Sequence, residues 1–327
     1  MRPTLRDVAR LAGVSPGLVS RVLQGRAVRV REDTRSRIQE AARALGYVPS
    51  RLARGMRLGQ SGLVALVVPG LENPYYPALA LETQRALWPH GLDLLVYTNP
   101  TFELPQVLRA ALALGVEGVI LVSSHYSQRE LEGLGAFPLT FVAVGHAWGP
   151  LPIDRVSFDD RAAAREATLA LGRAGHLPVA HLSGPGSSPT AQARLAGYLE
   201  GVGQLGQEPL VFEGNFRVEG NQAAIGAMLA GGPRGVLAGN DLLALAVLRQ
   251  ALALGLRLPQ ELTLVGFDDI PAASWVYPAL SSIRRPPSRS AEAAVRLLLR
   301  RREGYAGPPE TLLLPAELVV RDTGPLC

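Results

Sequence analysis

The stretch Thr4-Leu-Arg-Asp-Val-Ala-Arg-Leu-Ala-Gly-Val-Ser15, followed by Pro16-Gly-Leu-Val-Ser-Arg-Val-Leu23, predicts two short helices joined by a tight turn. Apolar residues recur at helical spacing in both segments. Gly13 suits the positive φ that lets two helices meet at a steep angle, and Ser15 before Pro16 is a typical helix start. The pattern is that of a helix-turn-helix, whose second helix enters a DNA major groove. An ordinary helical hairpin with a solvated basic face is the alternative.

The distribution of charge favours the DNA-binding interpretation. Residues 1–60 contain thirteen arginines and four acidic residues, a net charge of +9, so the rest of the chain carries −4 of the overall +5. A small basic module attached to a mildly acidic body is typical of a DNA-binding protein. The chain contains no lysine. Guanidinium groups favour two-point contacts to phosphate and guanine, but a GC-rich genome or a hot habitat would explain the same bias.

A third helix is predicted over Val30–Leu45, where acidic residues come first, an apolar stripe follows and Gly46 ends the pattern. Ser50 is a candidate cap for a brief helix over Arg51–Leu58. A helix so short should not persist alone in water. Two interpretations stay open: a linker, or a segment that folds only on DNA and inserts the apolar Met56 into a base step.

From residue 61 onward, short branched apolar runs alternate with amphipathic stretches, which predicts parallel sheets covered by helices. Roughly 265 residues exceed one typical sheet domain and indicate two. The predicted strands are Leu63–Val68, Leu92–Tyr97, Gly118–Ser123, Leu139–Ala143, Val179–Ser183, Gly235–Ala238 and Leu262–Phe267. The predicted helices are Leu79–Trp88, Gln106–Leu114, Arg161–Gly172, Arg194–Gln204, Asn221–Leu229 and Asp241–Leu254.

Several classes of function find little support. Five histidines show no metal-ligand spacing, and no nucleophile, base and orienting residue can be assembled from local motifs. Gly184-Pro-Gly186 is not a phosphate-binding loop. We therefore expect no enzyme activity, no metal and no cofactor. There is no long apolar run and no signal peptide, and Cys327 is the only cysteine, which together predict a cytoplasmic protein.

The ordered motifs resemble the LacI/GalR family of bacterial transcription repressors over essentially the whole chain. No single motif is specific, but their order and spacing are. The motifs in the N-terminal part are Thr4-Leu-Arg-Asp-Val-Ala, Ala12-Gly-Val-Ser15, Val19-Ser-Arg-Val-Leu23, Leu45-Gly-Tyr-Val-Pro49 and Ala53-Arg54. Those in the body are Asn73-Pro-Tyr-Tyr76, Gly118-Val-Ile120, Ala193-Arg-Leu-Ala-Gly197, Asn240-Asp241, Val265-Gly-Phe-Asp-Asp269 and Pro278-Ala-Leu-Ser-Ser-Ile283.

The resemblance implies an α/β body of two similar lobes, like that of periplasmic sugar-binding proteins, behind an all-α helix-turn-helix headpiece. The expected division is a DNA-binding domain at 1–46, a hinge helix or linker at 47–61, and two lobes. The first lobe would contain 62–158 and 285–316, and the second 159–284 and 317–327. The chain would cross between the lobes near Phe158, Arg285 and Pro315.

Ligands of open α/β sheets bind outside the carboxyl ends of strands, and several polar or aromatic residues follow predicted strands. By resemblance, Arg194, Asn240 and Asp268 match the cluster that holds effector hydroxyls in sugar-binding members. Asp268 and Asp269 have helix capping as an alternative role, and Tyr76 and Phe158 have core packing. The predicted effector-contacting residues are Asn73, Tyr75, Tyr76, Phe158, Arg194, Phe216, Asn240, Asp268 and Arg285.

The chain departs from the family pattern at the start of the recognition helix, where Pro16 and Gly17 replace the usual polar base readers. Sequence readout therefore shifts toward Arg21, whose guanidinium fits guanine O6 and N7. Leu18 stands where many members carry threonine, and Met56 replaces the usual leucine wedge. The predicted DNA-contacting residues are Thr4, Leu5, Ser15, Pro16, Gly17, Leu18, Ser20, Arg21, Arg29, Ser50, Arg51, Ala53, Arg54 and Met56.

Arg285 occupies a position usually given to glutamine, which leaves two interpretations: contact with an anionic effector, or an ion pair that bridges the lobes. Taken together, the sequence predicts a repressor that binds a near-palindromic operator as a homodimer. Its affinity for double-stranded DNA would be controlled by a small molecule, a sugar or related metabolite, in the cleft. The alternative, a free-standing solute-binding protein, needs an export signal and no basic headpiece. The sequence does not say whether the effector induces or co-represses.

Overall fold

The computed structural model describes residues 3–23, 28–47, 61–98 and 103–324. The chain divides after Ser61 into two compact units, a helical N-terminal unit and a larger α/β body. The described residues include no helix long and apolar enough to cross a membrane.

The N-terminal unit is a three-helix cluster, with α1 at Leu5–Ala12, α2 at Pro16–Leu23 and α3 at Glu32–Ala44. Thr4 and Asp7 form a reciprocal capping box at the start of α1, and Gly13 ends that helix at φ 65°. Leu18 N–H donates to Ser15 Oγ at 3.3 Å at the start of α2. Apolar side chains from all three helices close one small core, so the predicted helix-turn-helix is present.

The body contains two six-stranded sheets with the same architecture. The strand order is β11-β5-β4-β3-β1-β2 in the first sheet and β12-β10-β9-β8-β6-β7 in the second. All pairs are parallel except β10 with β12, which is antiparallel. The strands are β1 Leu63–Val68, β2 Asp93–Thr98, β3 Gly118–Val122, β4 Thr140–Val144, β5 Asp154–Phe158, β6 Val179–Ser183, β7 Leu210–Glu213, β8 Gly235–Ala238, β9 Thr263–Asp268, β10 Ser281–Arg284, β11 Thr311–Leu314 and β12 Glu317–Val319.

Helices cover both faces of each sheet. Along β1, Val64, Leu66 and Val68 pack into one layer of the core, while Ala65 and Val67 pack into the layer on the opposite face. This two-sided burial explains the continuous apolar strand sequences. The helices of the body are α4 Tyr75–Leu87, α5 Leu104–Ala113, α6 Gln128–Glu132, α7 Asp160–Arg173, α8 Pro189–Gln204, α9 Gln222–Ala230, α10 Asp241–Ala253, α11 Ala272–Trp275 and α12 Pro287–Arg302.

The chain passes between the two sheets three times. It leaves the first sheet after Phe158, returns at Arg285 and Pro286 to form α12 against the first sheet, and leaves again between β11 and β12. The expected fold class, a helical N-terminal unit with a two-lobed body of mainly parallel sheets flanked by helices, is confirmed.

Candidate functional site

The second helix of the N-terminal unit exposes the residues expected to face DNA. Pro16, Gly17 and Arg21 are exposed, as is Arg29 beyond the helix. Arg21 Nε donates to the Gly17 carbonyl at 3.3 Å, so this side chain lies along the helix surface. A Cβ added at Gly17 would meet nothing within 4 Å, and its backbone φ is ordinary. Neither internal packing nor backbone geometry therefore requires a glycine at this position.

The other predicted DNA-contacting residues fall into three groups. Thr4 and Ser15 are exposed; the Thr4 hydroxyl is used in the capping box, and the Ser15 hydroxyl accepts from Leu18 N–H. Leu5 and Leu18 are half-buried and pack against the small core, and Ser20 is half-buried on α2. The last group lies outside the described residues: Ser50, Arg51, Ala53, Arg54 and Met56.

A cavity of about 170 Å³ opens where the carboxyl ends of the strands of both sheets meet. Its position follows the general rule for ligand sites in open α/β sheets. Eight of the nine predicted effector residues line it: Asn73, Tyr75, Tyr76, Arg194, Phe216, Asn240, Asp268 and Arg285. The ninth, Phe158, does not line the cavity. It lies buried behind Arg285, whose guanidinium is 5.1 Å from the centre of the Phe158 ring.

Two buried arginines and two buried aspartates form an ion-paired cluster at this cavity, which all of them line except Asp160. Arg194 approaches Asp160 at 3.1 Å and Asp268 at 3.3 Å. Arg285 approaches the same two carboxylates, at 3.0 Å and 2.8 Å. All four side chains are at least nine-tenths buried. Each positive charge therefore has a negative partner, and the set is neutral as a whole.

Two of these four charged residues lie at two of the three crossings of the chain between the sheets. Asp160 starts α7 directly after the first crossing, and Arg285 lies on the second. Burial opposes ionisation of Asp160, but Arg285 and Arg194 outweigh it and hold the pKa of this carboxyl below its ordinary value. Burial likewise opposes the charge on Arg285, while Asp160, Tyr75 and Asp268 raise its pKa. Arg285 thus makes the ion pairs between these elements that one of the two sequence interpretations expected.

Asp268, the last residue of β9, and Asp269 directly after it do not cap a helix, which was the alternative role considered for them. Asp268 ends the strand at φ 108° and binds the two arginines. Asp269, at φ 56°, pairs with Arg284 at 2.7 Å and with Arg321 at 2.6 Å. Aspartate tolerates the left-handed region in which Asp269 lies, but the φ of Asp268 falls outside that region and is strained, and strained residues cluster at functional sites. The ion pairs hold both residues in this conformation.

Aromatic side chains form the apolar part of the cavity. Tyr76 OH lies 3.2 Å from His125 Nε2, and the two rings meet edge to face. Burial raises the pKa of Tyr76 and lowers the pKa of His125, so both are neutral near pH 7. Phe216 faces Arg194, whose guanidinium is 5.9 Å from the ring centre.

Asn240 has structural partners of its own. Its side-chain oxygen accepts from Leu243 N–H at 2.9 Å and so caps α10, while its amide donates to the Phe216 carbonyl at 3.0 Å. One amide hydrogen remains for a bound molecule. The polar side chains Glu72, Ser124, His125, Ser188, Thr190, Asn215 and Arg217 also line the cavity and were not predicted.

Asp160 was not predicted either. It follows a strand that the apolar pattern did not reveal, and its partners are 34 and 125 residues away along the chain.

In the described part of the chain, no group of three or more histidine, cysteine, aspartate or glutamate side chains is arranged to hold a metal ion.

Comparison with known proteins agrees with this architecture. Residues 4–50 match the model of bacterial regulatory proteins of the lacI family, and residues 169–323 match a periplasmic binding protein-like domain. The HTH-type transcriptional regulator CelR of Thermobifida fusca is 34% identical, over 99% of this chain and 98% of CelR.

Two solved structures resemble the whole chain. A complex of the transcriptional regulator CelR with cellobiose has a TM-score of 0.74 at 31% identity, covering 99% of this chain and all of that one. The lac repressor dimer bound to operator and the anti-inducer ONPF has a TM-score of 0.89 at 26% identity, covering 99% of both chains. The chain therefore belongs to the lacI family of bacterial regulatory proteins and is a DNA-binding transcriptional regulator.

Proposed function

We propose that this protein is a repressor that binds a near-palindromic operator as a homodimer. A neutral sugar in the cavity would raise or lower its affinity for that operator. The observation that carries the proposal is the coexistence, in one chain, of an exposed helix-turn-helix and a cavity at the carboxyl ends of two sheets. Two-fold symmetry is needed because one short recognition helix contacts too few base pairs to specify a genomic site.

The DNA-contacting side would be the exposed face of α2, with Arg21 as the principal base reader and the neighbouring arginines on phosphates. The division that we propose is a helix-turn-helix at 1–46, a linker at 47–61 and two lobes that exchange the chain at 158, 285 and 315. Because operator DNA is the partner, the protein would work in the cytoplasm.

The effector class follows from the charges around the cavity. Arg194 and Arg285 are each paired with Asp160 and Asp268, so neither arginine offers a free positive charge to a phosphate or carboxylate. An anionic effector held by Arg194 or Arg285 would have to break a buried ion pair, which is costly. Glu72 and Arg217, which also line the cavity, add one charge of each sign and leave no net positive charge there. A neutral polyol would instead lie against the aromatic walls and exchange hydrogen bonds with groups that keep spare donors and acceptors. The solved structure of a transcriptional regulator CelR is a complex with cellobiose, a neutral sugar.

Control of DNA binding would be a coupling free energy between the two sites. The cavity is lined from both sheets, so a ligand that contacts both sides favours one relative position of the lobes. The three crossings are the places where that position changes, and Arg285 with Asp160 joins two of them. A free-standing solute-binding protein would have no use for a basic helix-turn-helix.

The experiment is isothermal titration of the full-length protein with matched neutral and charged sugars, for example cellobiose, ribose, glucose and glucose 6-phosphate. The proposal predicts that at least one neutral sugar binds and that a phosphate group on the same sugar weakens binding. A preference for the phosphorylated sugar would contradict the neutral-effector assignment. Binding of sugars without any effect on operator affinity would favour the solute-binding alternative.

A further inference from the structure

Phe216, the aromatic wall contributed by the second sheet, has a backbone conformation that phenylalanine rarely adopts. Its φ is 61°, in the left-handed region, in the loop between β7 and α9. Such a conformation is unfavourable for a bulky residue other than glycine and persists only when its surroundings impose it. Contacts within this loop must therefore stabilise the backbone conformation of Phe216.

The side chain of Asn221 makes most of the hydrogen bonds that shape the loop. Its oxygen accepts from Asn215 N–H at 3.1 Å. The two hydrogens of its amide are shared among three acceptors: Asn215 Oδ1 at 2.9 Å, the Arg217 carbonyl at 2.8 Å and the Glu219 carbonyl at 3.1 Å. Asn221 is 2% exposed and does not line the cavity. It thus ties the residues on either side of Phe216 together without touching a bound molecule.

Two glycines leave the space that the ring occupies. A Cβ added at Gly184 would lie 2.1–2.4 Å from three atoms of the Phe216 ring, far inside contact distance. A Cβ at Gly239 would lie 3.1 Å from the same ring. Gly184 has no positive φ, so its lack of a side chain is explained by the ring and not by its own backbone.

We propose that Asn221 is a positioning residue for effector binding: it sets the loop so that the Phe216 ring lies against Gly184 and forms a wall of the cavity. The proposal rests on the proposed function, because the wall matters only if the cavity binds the effector. It predicts that Gly184 acts on affinity through Phe216, and that most of the effect of Asn221 passes through Phe216, although Asn221 also bonds to Asn215 and Arg217, which line the cavity themselves.

The first test needs no sugar. In a crystal structure of Asn221→Ala, Phe216 should leave the left-handed region and its ring should lift away from Gly184. A Phe216 with unchanged φ and ring position in this variant would overturn the proposal. Should Asn221→Ala fail to fold, Gly184→Ala displaces the same ring without touching the hydrogen-bonded loop. Gly203→Ala is the matched control, because an added Cβ there meets nothing within 4 Å.

The second test is a double-mutant cycle with cellobiose as the probe in isothermal titration. Asn221→Ala, Gly184→Ala and Phe216→Ala should each weaken cellobiose binding about tenfold, as expected for one lost aromatic contact. Adding Gly184→Ala to Phe216→Ala should cause no further loss, adding Asn221→Ala to Phe216→Ala should cause much less loss than Asn221→Ala does alone, and Gly203→Ala should bind as the wild type. Additive losses would mean that Asn221 acts independently of Phe216. If the wild-type protein does not bind cellobiose, that result counts against the effector class, and the ring position alone decides the role of Asn221.

Discussion

Replacing Arg285 with methionine tests the buried ion pairs at the crossings of the chain between the two sheets. Its guanidinium lies 2.8 Å from Asp268 and 3.0 Å from Asp160, and its side chain is 8% exposed. Removing one partner of a buried pair typically costs 3–5 kcal/mol. Arg194 stays within 3.3 Å of both carboxylates, so we expect the lower end of this range, about 3 kcal/mol of unfolding free energy.

The assay is urea unfolding of the full-length protein at pH 7, followed by tryptophan fluorescence. Methionine keeps an apolar chain in place of the arginine stem, so the loss reports mainly on charge. The control is the double variant Asp160→Asn with Arg285→Met, which removes one charge of each sign and leaves Arg194 paired with Asp268. We expect this variant to recover most of the lost stability. A loss below about 1 kcal/mol for Arg285→Met, or no recovery in the double variant, would refute the reasoning.

The same variant has a defined pH dependence. The folded-state pKa of Asp160 lies below its unfolded value, so its ionised form stabilises the protein above that unfolded value, and the contribution is lost as the pH falls toward the folded pKa. Arg285→Met raises the folded pKa of this carboxyl. The stability difference between the variant and the wild type should therefore be largest at neutral pH and shrink below about pH 4. A difference independent of pH would contradict the assignment.

Three further predictions concern DNA recognition and acid stability. Arg21→Ala should cost about 1–3 kcal/mol of binding free energy for the operator and weaken the preference for one base pair in each half-site, measured by anisotropy on variant operators. An equal loss of affinity for random DNA would mean that Arg21 contacts only phosphate. Gly17→Ala should raise the unfolding free energy of the N-terminal unit by about 0.5–1 kcal/mol yet weaken operator binding, because the added methyl group keeps the helix backbone away from DNA. The control Gly203→Ala should leave operator binding unchanged. Unchanged operator affinity in Gly17→Ala would show that close approach of the backbone to DNA is not needed at this position. Burial lowers the pKa of His181 from 6.5 to about 4. As the pH falls from 6.5 to 4, the wild type should lose about 3 kcal/mol of unfolding free energy, at about 1.4 kcal/mol per pKa unit, because in this range only the unfolded state binds the proton. An equal dependence of the unfolding free energy on pH in His181→Gln would rule this out.

The helix-turn-helix was predictable because its signals are local. A turn glycine, a serine before proline and apolar residues at helical spacing lie within 20 residues. The central strands of both sheets were predictable because burial on both faces leaves continuous apolar runs. The strands β5, β7, β10, β11 and β12 were not predicted, since each is short and most include charged or hydroxyl side chains, as in Asp154–Phe158 and Ser281–Arg284.

The same distinction explains what the sequence could say about the cavity. The rule that ligands lie beyond the carboxyl ends of strands pointed to Tyr76 and Asp268, because each follows a recognisable strand. Asp160 follows a strand that was not recognised, and its partners are distant along the chain. Asn221 carried no signal beyond the start of a helix, because its four hydrogen bonds depend on the conformation of a loop that no periodicity describes. Phe158 is the last residue of that same strand before Asp160, and its ring packs against Arg285 and does not line the cavity.

The central claim is that a neutral sugar in the cavity and operator DNA on the helix-turn-helix are energetically coupled. The most direct measurement is the reciprocal pair of titrations on the full-length protein: operator affinity with and without saturating sugar, by anisotropy, and sugar affinity with and without operator, by calorimetry. The account predicts that both affinities change by the same factor, about 5–150-fold for typical coupling free energies. A sugar that binds in the cavity and leaves operator affinity unchanged would contradict it.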